Sequence, residues 1–161
     1  MRHRLMTHPL FYIYYCSLSR FFYSLPPNKI KHYYSVAANK KMPFYFVDNG
    51  QLHLFINNPN TSLLENLCAI TLYKKYGKSL YYYNRNIEVD FYVPDEGLAV
   101  QASYQMSDEE TIEREVKALV TLHGLYPLKR AMIITYEDEG EIVRDGLKIE
   151  IRPAWKWVLE G

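Results

Sequence analysis

The side chains best placed to do chemistry are Glu65, Asp90, Gln101 and Ser103. Asp90 falls in Ile87 to Val93, which reads as a strand with Ile87, Val89 and Phe91 on one face and Glu88, Asp90 and Tyr92 on the other. Eleven residues further on stands Gln101, with one residue between it and Ser103, on a strand running from Leu98 to Tyr104. Glu65 belongs to an upstream helix. Two carboxylates so placed can share a magnesium ion, which takes oxygen ligands and keeps several of its waters. Such an ion would generate hydroxide and stabilise charge on a phosphodiester. A third acceptor and a lysine on the neighbouring strand complete a site of this kind, the lysine orienting and deprotonating water. Each acid alone has a plainer reading: Asp90 as a solvent-facing strand residue, Glu65 as a polar helix position.

The elements that must hold these residues are legible from residue 43 onward. Phe44 to Val47 is a short strand stopped by Asp48-Asn49-Gly50. Leu52 to Ile56 suggests a short helix closing at Asn57-Asn58-Pro59. Asn60, Thr61 or Ser62 can cap a helix that runs to about Tyr76, with Leu63, Leu67 and Ile70 as its stripe and Leu64 and Leu72 widening it. Leu80 to Tyr83 and Ile87 to Val93 form a hairpin around Asn84-Arg85-Asn86, and Pro94 to Gly97 turns the chain into the third strand. A capping box of Ser107 and Glu110 opens a second helix, with Ile112, Val116, Leu119 and Val120 buried and Gly124 ending it. Leu128 to Tyr136 reads as a central strand, followed by a hairpin around Asp145-Gly146 and a last helix from Pro153. From residue 60 the order is helix, three strands, helix, strand. That predicts an α/β fold with a central mixed sheet flanked by helices.

Composition narrows the function classes. The 161 residues are 48% hydrophobic and 23% charged, enough for one domain with its own core. Net charge is +1, so no global field draws the chain to nucleic acid or a membrane. Sixteen Tyr residues are more simply packing than a base-stacking surface. Two cysteines, Cys16 and Cys68, support neither a disulfide framework nor a cysteine-rich zinc site, and fit a reducing cytoplasm. His3, His8, His32, His53 and His123 show no metal-ligand spacing, and His123 is explained by the dipole of a helix C-terminus. Gly77-Lys78-Ser79 imitates the end of a phosphate-binding loop, but Leu72 stands where its first glycine belongs, inside a helix. Asp108, Glu109, Glu110, Glu113 and Glu115 read as a solvated helix face. The apolar run Leu10 to Cys16 is too short to span a membrane and lacks an export cleavage site.

Several segments together resemble a known family. They are Phe44 to Gly50, Leu64-Glu65-Asn66-Leu67, Tyr81-Tyr82-Tyr83, Glu88-Val89-Asp90-Phe91, Val100 to Tyr104 and Trp155-Lys156-Trp157, in that order. The chain is similar over roughly residues 43–160 to the C-terminal domain of unknown function of prokaryotic AAA-type ATPases, a relative of the PD-(D/E)XK restriction-endonuclease fold. The resemblance implies a restriction-endonuclease-like core, with the helix glutamate at Glu65 and the motif aspartate at Asp90 as metal ligands. It also implies an acid at position 101 and a lysine at position 103, where this chain has Gln101 and Ser103. Gln adds no charge to a metal site, and Ser cannot replace the cation. Lys117, on the following helix, is the candidate for a migrated lysine. The expectation is a degenerate, non-catalytic, cytoplasmic nuclease-like domain at 43–161 that serves DNA or partner binding without a cofactor. Residues 1–42 are expected to be an irregular segment, a remnant of a preceding domain, and the ATPase domain normally shares the polypeptide. The alternatives are a Mg2+-dependent DNA nuclease with a rearranged site, and a protein–protein interaction module.

Overall fold

A computed structural model describes residues 24–25, 28–29, 45–46, 48–50 and 60–160. The expected helix at 52–56, four of the five histidines, Cys16 and most of residues 1–42 lie outside the described residues. Two two-residue strands, β1 (Ser24–Leu25) and β3 (Tyr45–Phe46), pair antiparallel as a small ribbon. The main sheet has the order β2-β4-β5-β6-β7-β9-β8. Its members are β2 (Asn28–Lys29), β4 (Tyr81–Asn84), β5 (Glu88–Val93), β6 (Leu98–Ala102), β7 (Arg130–Thr135), β8 (Gly140–Arg144) and β9 (Leu147–Pro153). Pairing is antiparallel through β4, β5 and β6, parallel from β6 through β7 to β9, and antiparallel again at β8. The protein is therefore an α/β domain built on a mixed sheet, as the sequence order predicts.

Helices α1 (Asn60–Tyr76), α2 (Glu109–Leu125) and the short α3 (Ala154–Glu160) pack against the sheet. One core layer joins Leu64, Cys68 and Leu72 of α1 to Phe91, Val93, Val100, Met132 and Ile134. The other joins Val116, Leu119 and Leu122 of α2 to Val89, Ala99, Ile133 and Ile149. Alternate residues of β6 and β7 feed opposite layers, as a pleated central strand must. α1 is turned relative to the expected stripe. Leu64, Cys68 and Leu72 are buried, while Leu63, Leu67 and Ile70 are only half-buried. Leucines lie all around this helix, so their spacing alone does not choose the face.

The cap of α2 also differs from expectation. Asp108, not Ser107, is the N-cap, and its carboxylate accepts from the backbone N–H of Glu110 and Thr111. An aspartate caps as well as a serine and adds charge that complements the helix dipole. At the other end His123 works through its ring: Nδ1 accepts the backbone N–H of Leu128 at 2.9 Å, tying the loop to the strand that follows. The turn before β6 requires its glycine. Gly97 has φ +60°, and a Cβ there would meet the backbone nitrogen of Lys129 at 3.1 Å. The β8–β9 hairpin turns through Asp145 and Gly146, both at positive φ, as the Asp-Gly pair predicts.

Candidate functional site

β5 carries an irregularity that the alternation of its sequence hides. Tyr81 pairs with Tyr92 and Tyr83 with Val89, so two steps along β4 match three along β5. This is a β-bulge, with Asp90 and Phe91 sharing the place opposite Tyr82. An extra residue reverses the side-chain alternation beyond it. Val89 therefore enters the α2 layer and Phe91 the α1 layer, a correction to the single face expected for both. Bulges recur beside functional sites because they re-aim a side chain. Here the re-aimed residue is Asp90.

Gln101 closes the gap the bulge opens. The ladder between β5 and β6 runs from Val93–Leu98 to Phe91–Val100. At the next position the Gln101 carboxamide takes over: its Oε1 accepts the Asp90 N–H at 2.7 Å, and its Nε2 donates to the Glu88 carbonyl at 3.1 Å. Asp90 reciprocates, its Oδ2 accepting the Ala102 N–H at 2.9 Å. Gln101 itself is 3% exposed, so these two bonds also satisfy a carboxamide that is shut away from water. A carboxamide offers one donor and one acceptor, which is what this gap needs. A carboxylate offers only acceptors.

Glu65 and Asp90 share one neighbourhood. Burial and the Glu65 charge, then the charges of Glu115 and Glu88, hold the Asp90 carboxyl well above the usual carboxylate range against the opposing pull of the Ala102 N–H. Asp90 is half-buried, with one carboxylate oxygen turned to the Ala102 N–H. Glu65 is also raised, chiefly by burial and further by Glu88, while a hydrogen bond from Tyr45 partly offsets this. That bond runs from the Tyr45 hydroxyl to Glu65 Oε1 at 2.7 Å, and burial beside these acids pushes the Tyr45 phenol upward. Cys68 lies under the same group; burial first, then Asp90 and Glu65, lifts its thiol far from reactivity.

The remaining predicted residues do not complete a cation site. Ser103 is buried beyond the end of β6, its N–H donating to Ile134 O and its hydroxyl to Gln105 O. Lys117 is exposed on α2, and the groups that act most strongly on Asp90 are burial, a backbone N–H and three acids. Among the described residues, no three His, Cys, Asp or Glu side chains converge where they could hold a metal ion. Glu65 and Asp90 each have one carboxylate oxygen bound to a protein donor, and Gln101 is turned toward the backbone.

Two further residues, Asn66 and Glu115, shape this neighbourhood in ways their sequence context does not indicate. Asn66, 1% exposed, accepts the Phe46 N–H at 2.6 Å and donates to Phe46 O at 3.0 Å and to Asn49 Oδ1 at 2.8 Å, fixing β3 against α1. That attachment brings Tyr45 to Glu65. Glu115 is buried at 7% exposure with Arg114 as its ion-pair partner at 2.7 Å, so it leaves the solvated face expected for it. Its place two residues along the helix from exposed Glu113 offered no signal of this beyond helical periodicity.

Compared with known proteins, the chain matches no family model, no curated protein and no solved structure. No helix among the described residues is long and apolar enough to cross a membrane.

Proposed function

We propose that residues 43–161 form a degenerate nuclease-like domain that binds DNA or a protein partner without cleaving either. The observation that carries this reading is the Gln101 carboxamide, spent on the Asp90 N–H and the Glu88 carbonyl where a nuclease would hold a metal-binding acid. Supporting it is the element order. α1 precedes three antiparallel strands, α2 crosses to a strand parallel to β6, and Glu65 and Asp90 meet at the bulge. This is the arrangement expected of a PD-(D/E)XK-type core such as those joined to AAA-type ATPases in the cytoplasm. A Mg2+-dependent nuclease would need a third anionic ligand and a nearby lysine, and neither Gln101 nor Ser103 supplies one.

The test is binding of fluorescently labelled duplex DNA at two salt concentrations, with cleavage scored in parallel in Mg2+. Binding that weakens steeply with salt, without cleavage, is expected of a domain contacting several phosphates. Cleavage would overturn the non-catalytic reading. Absence of both would overturn the DNA assignment and leave a protein partner.

A further inference from the structure

On the α1 side of the sheet, away from the bulge, a basin opens between the C-terminal half of α1 and α3. It uses the start of β6 and of β7, whereas Asp90 lies against the far end of β6. Its volume is about 560 Å³, within the size range of small-ligand sites. Leu72, Leu98, Val100 and Met132 floor it, and Trp157 walls it. Around this apolar interior stand four cations, Lys74, Lys75, Arg130 and Arg152, against one carboxylate, that of Glu160.

The charges are unevenly satisfied. Arg130 is held by Glu150 at 3.2 Å. Lys74 and Lys75 are exposed and make no ion pair among the described residues; Lys75 lies over the Tyr76 ring, 5.9 Å from its centre. Arg152 is the most enclosed of the basic groups that form ion pairs here, with 19% of its side chain exposed. A guanidinium cannot shed its proton, so an enclosed one needs an anion. Glu160 provides it from the last turn of the seven-residue α3, a short and largely exposed element.

We propose that this basin binds an aromatic monophosphate ester, and that the Glu160 carboxylate occupies the phosphate's place in the free protein. A phosphate accepts two parallel N–H bonds from Arg152 and carries charge for both lysines, which one carboxylate does not satisfy. Its ring can lie on the partly exposed Trp157 indole at the edge of the basin, where flat aromatic contact adds to burial. Two helices and the sheet wall the basin on three sides, which suits a small ligand better than a continuous strand.

Phenyl phosphate is titrated into the full chain carrying Trp155→Phe, so that Trp157 is the sole indole and its fluorescence reports the site. A saturable change is expected, with inorganic phosphate and phenol each at least about tenfold weaker. Glu160→Gln removes the competing carboxylate and should tighten phenyl phosphate several-fold. Lys74→Gln with Lys75→Gln should weaken it about tenfold, with an unchanged circular dichroism spectrum showing that the fold persists. No saturable change even in the Glu160→Gln background would overturn the proposal, as would binding indifferent to the two lysines. Lysine-dependent binding of a single-stranded oligonucleotide without phenyl phosphate binding would also overturn it, because the face would then track a polymer.

Discussion

Replacing Gln101 by Glu keeps the size of the side chain and restores the charge a nuclease would have there, so it separates a strap from a lost ligand. At pH 8 the introduced carboxylate still accepts the Asp90 N–H but cannot donate to Glu88 O, which Gln101 now meets at 3.1 Å. Losing this bond between a buried side chain and a partly shielded carbonyl costs about 1–3 kcal/mol. The new charge also lies beside Asp90, which Glu65, Glu88 and Glu115 already push toward its neutral form. Each unit by which the new carboxyl is raised adds about 1.4 kcal/mol at a pH where it must ionise. Together these predict a loss of about 3 kcal/mol at pH 8. At pH 5 the neutral carboxyl can both accept from Asp90 and donate to Glu88, so the loss should shrink to about 1 kcal/mol. The sign follows from linkage: a folded-state pKa above the unfolded value of about 4.3 means the folded variant binds more protons, so its stability falls as pH rises. Urea unfolding of both proteins at pH 5 and pH 8, followed by circular dichroism, measures the two differences. A deficit equal at both pH values, larger at pH 5, or absent would refute the strap.

Other consequences follow from the same geometry. Asp90→Asn keeps an oxygen for the Ala102 N–H but removes a carboxyl whose raised pKa makes its contribution fully present only below about pH 4 and lost as pH rises. It should therefore stabilise the protein at pH 8 by about 1 kcal/mol or more and flatten its stability–pH profile, read by thermal melts across pH 5–8. Asn66→Ala removes three hydrogen bonds at a buried site and should lose about 2–4 kcal/mol, seen as a lower urea midpoint. Asp108→Ala should cost about 1 kcal/mol through loss of the α2 cap, whereas Ser107→Ala should change stability little.

The sequence made the architecture legible because long periodic segments and turn residues declare themselves. The two long helices, the three-strand run after α1, the buried β7 and the Asp145-Gly146 hairpin all lie where alternation and turn chemistry place them. The bulge was not legible, because Ile87 to Val93 alternates without a break and only the pairing with β4 shows the extra residue. Nor was the role of Gln101: a glutamine in an apolar strand reads as a substituted ligand until its partners across the strand are seen. The turn of α1 escaped for a different reason, since Leu63, Leu64, Leu67 and Leu72 leave its burial face undetermined. The Lys74–Arg152 basin joins residues from opposite ends of the domain and has no local signature at all.

We propose that Glu65 and Asp90 form a structural acid cluster rather than a cleavage site. The most direct measurement is incubation of supercoiled plasmid with the purified chain in Mg2+ and, separately, Mn2+, beside the Asp90→Ala variant. No nicking above buffer by either protein is the predicted result. Metal-dependent nicking by the unmodified chain that disappears in Asp90→Ala would contradict the account.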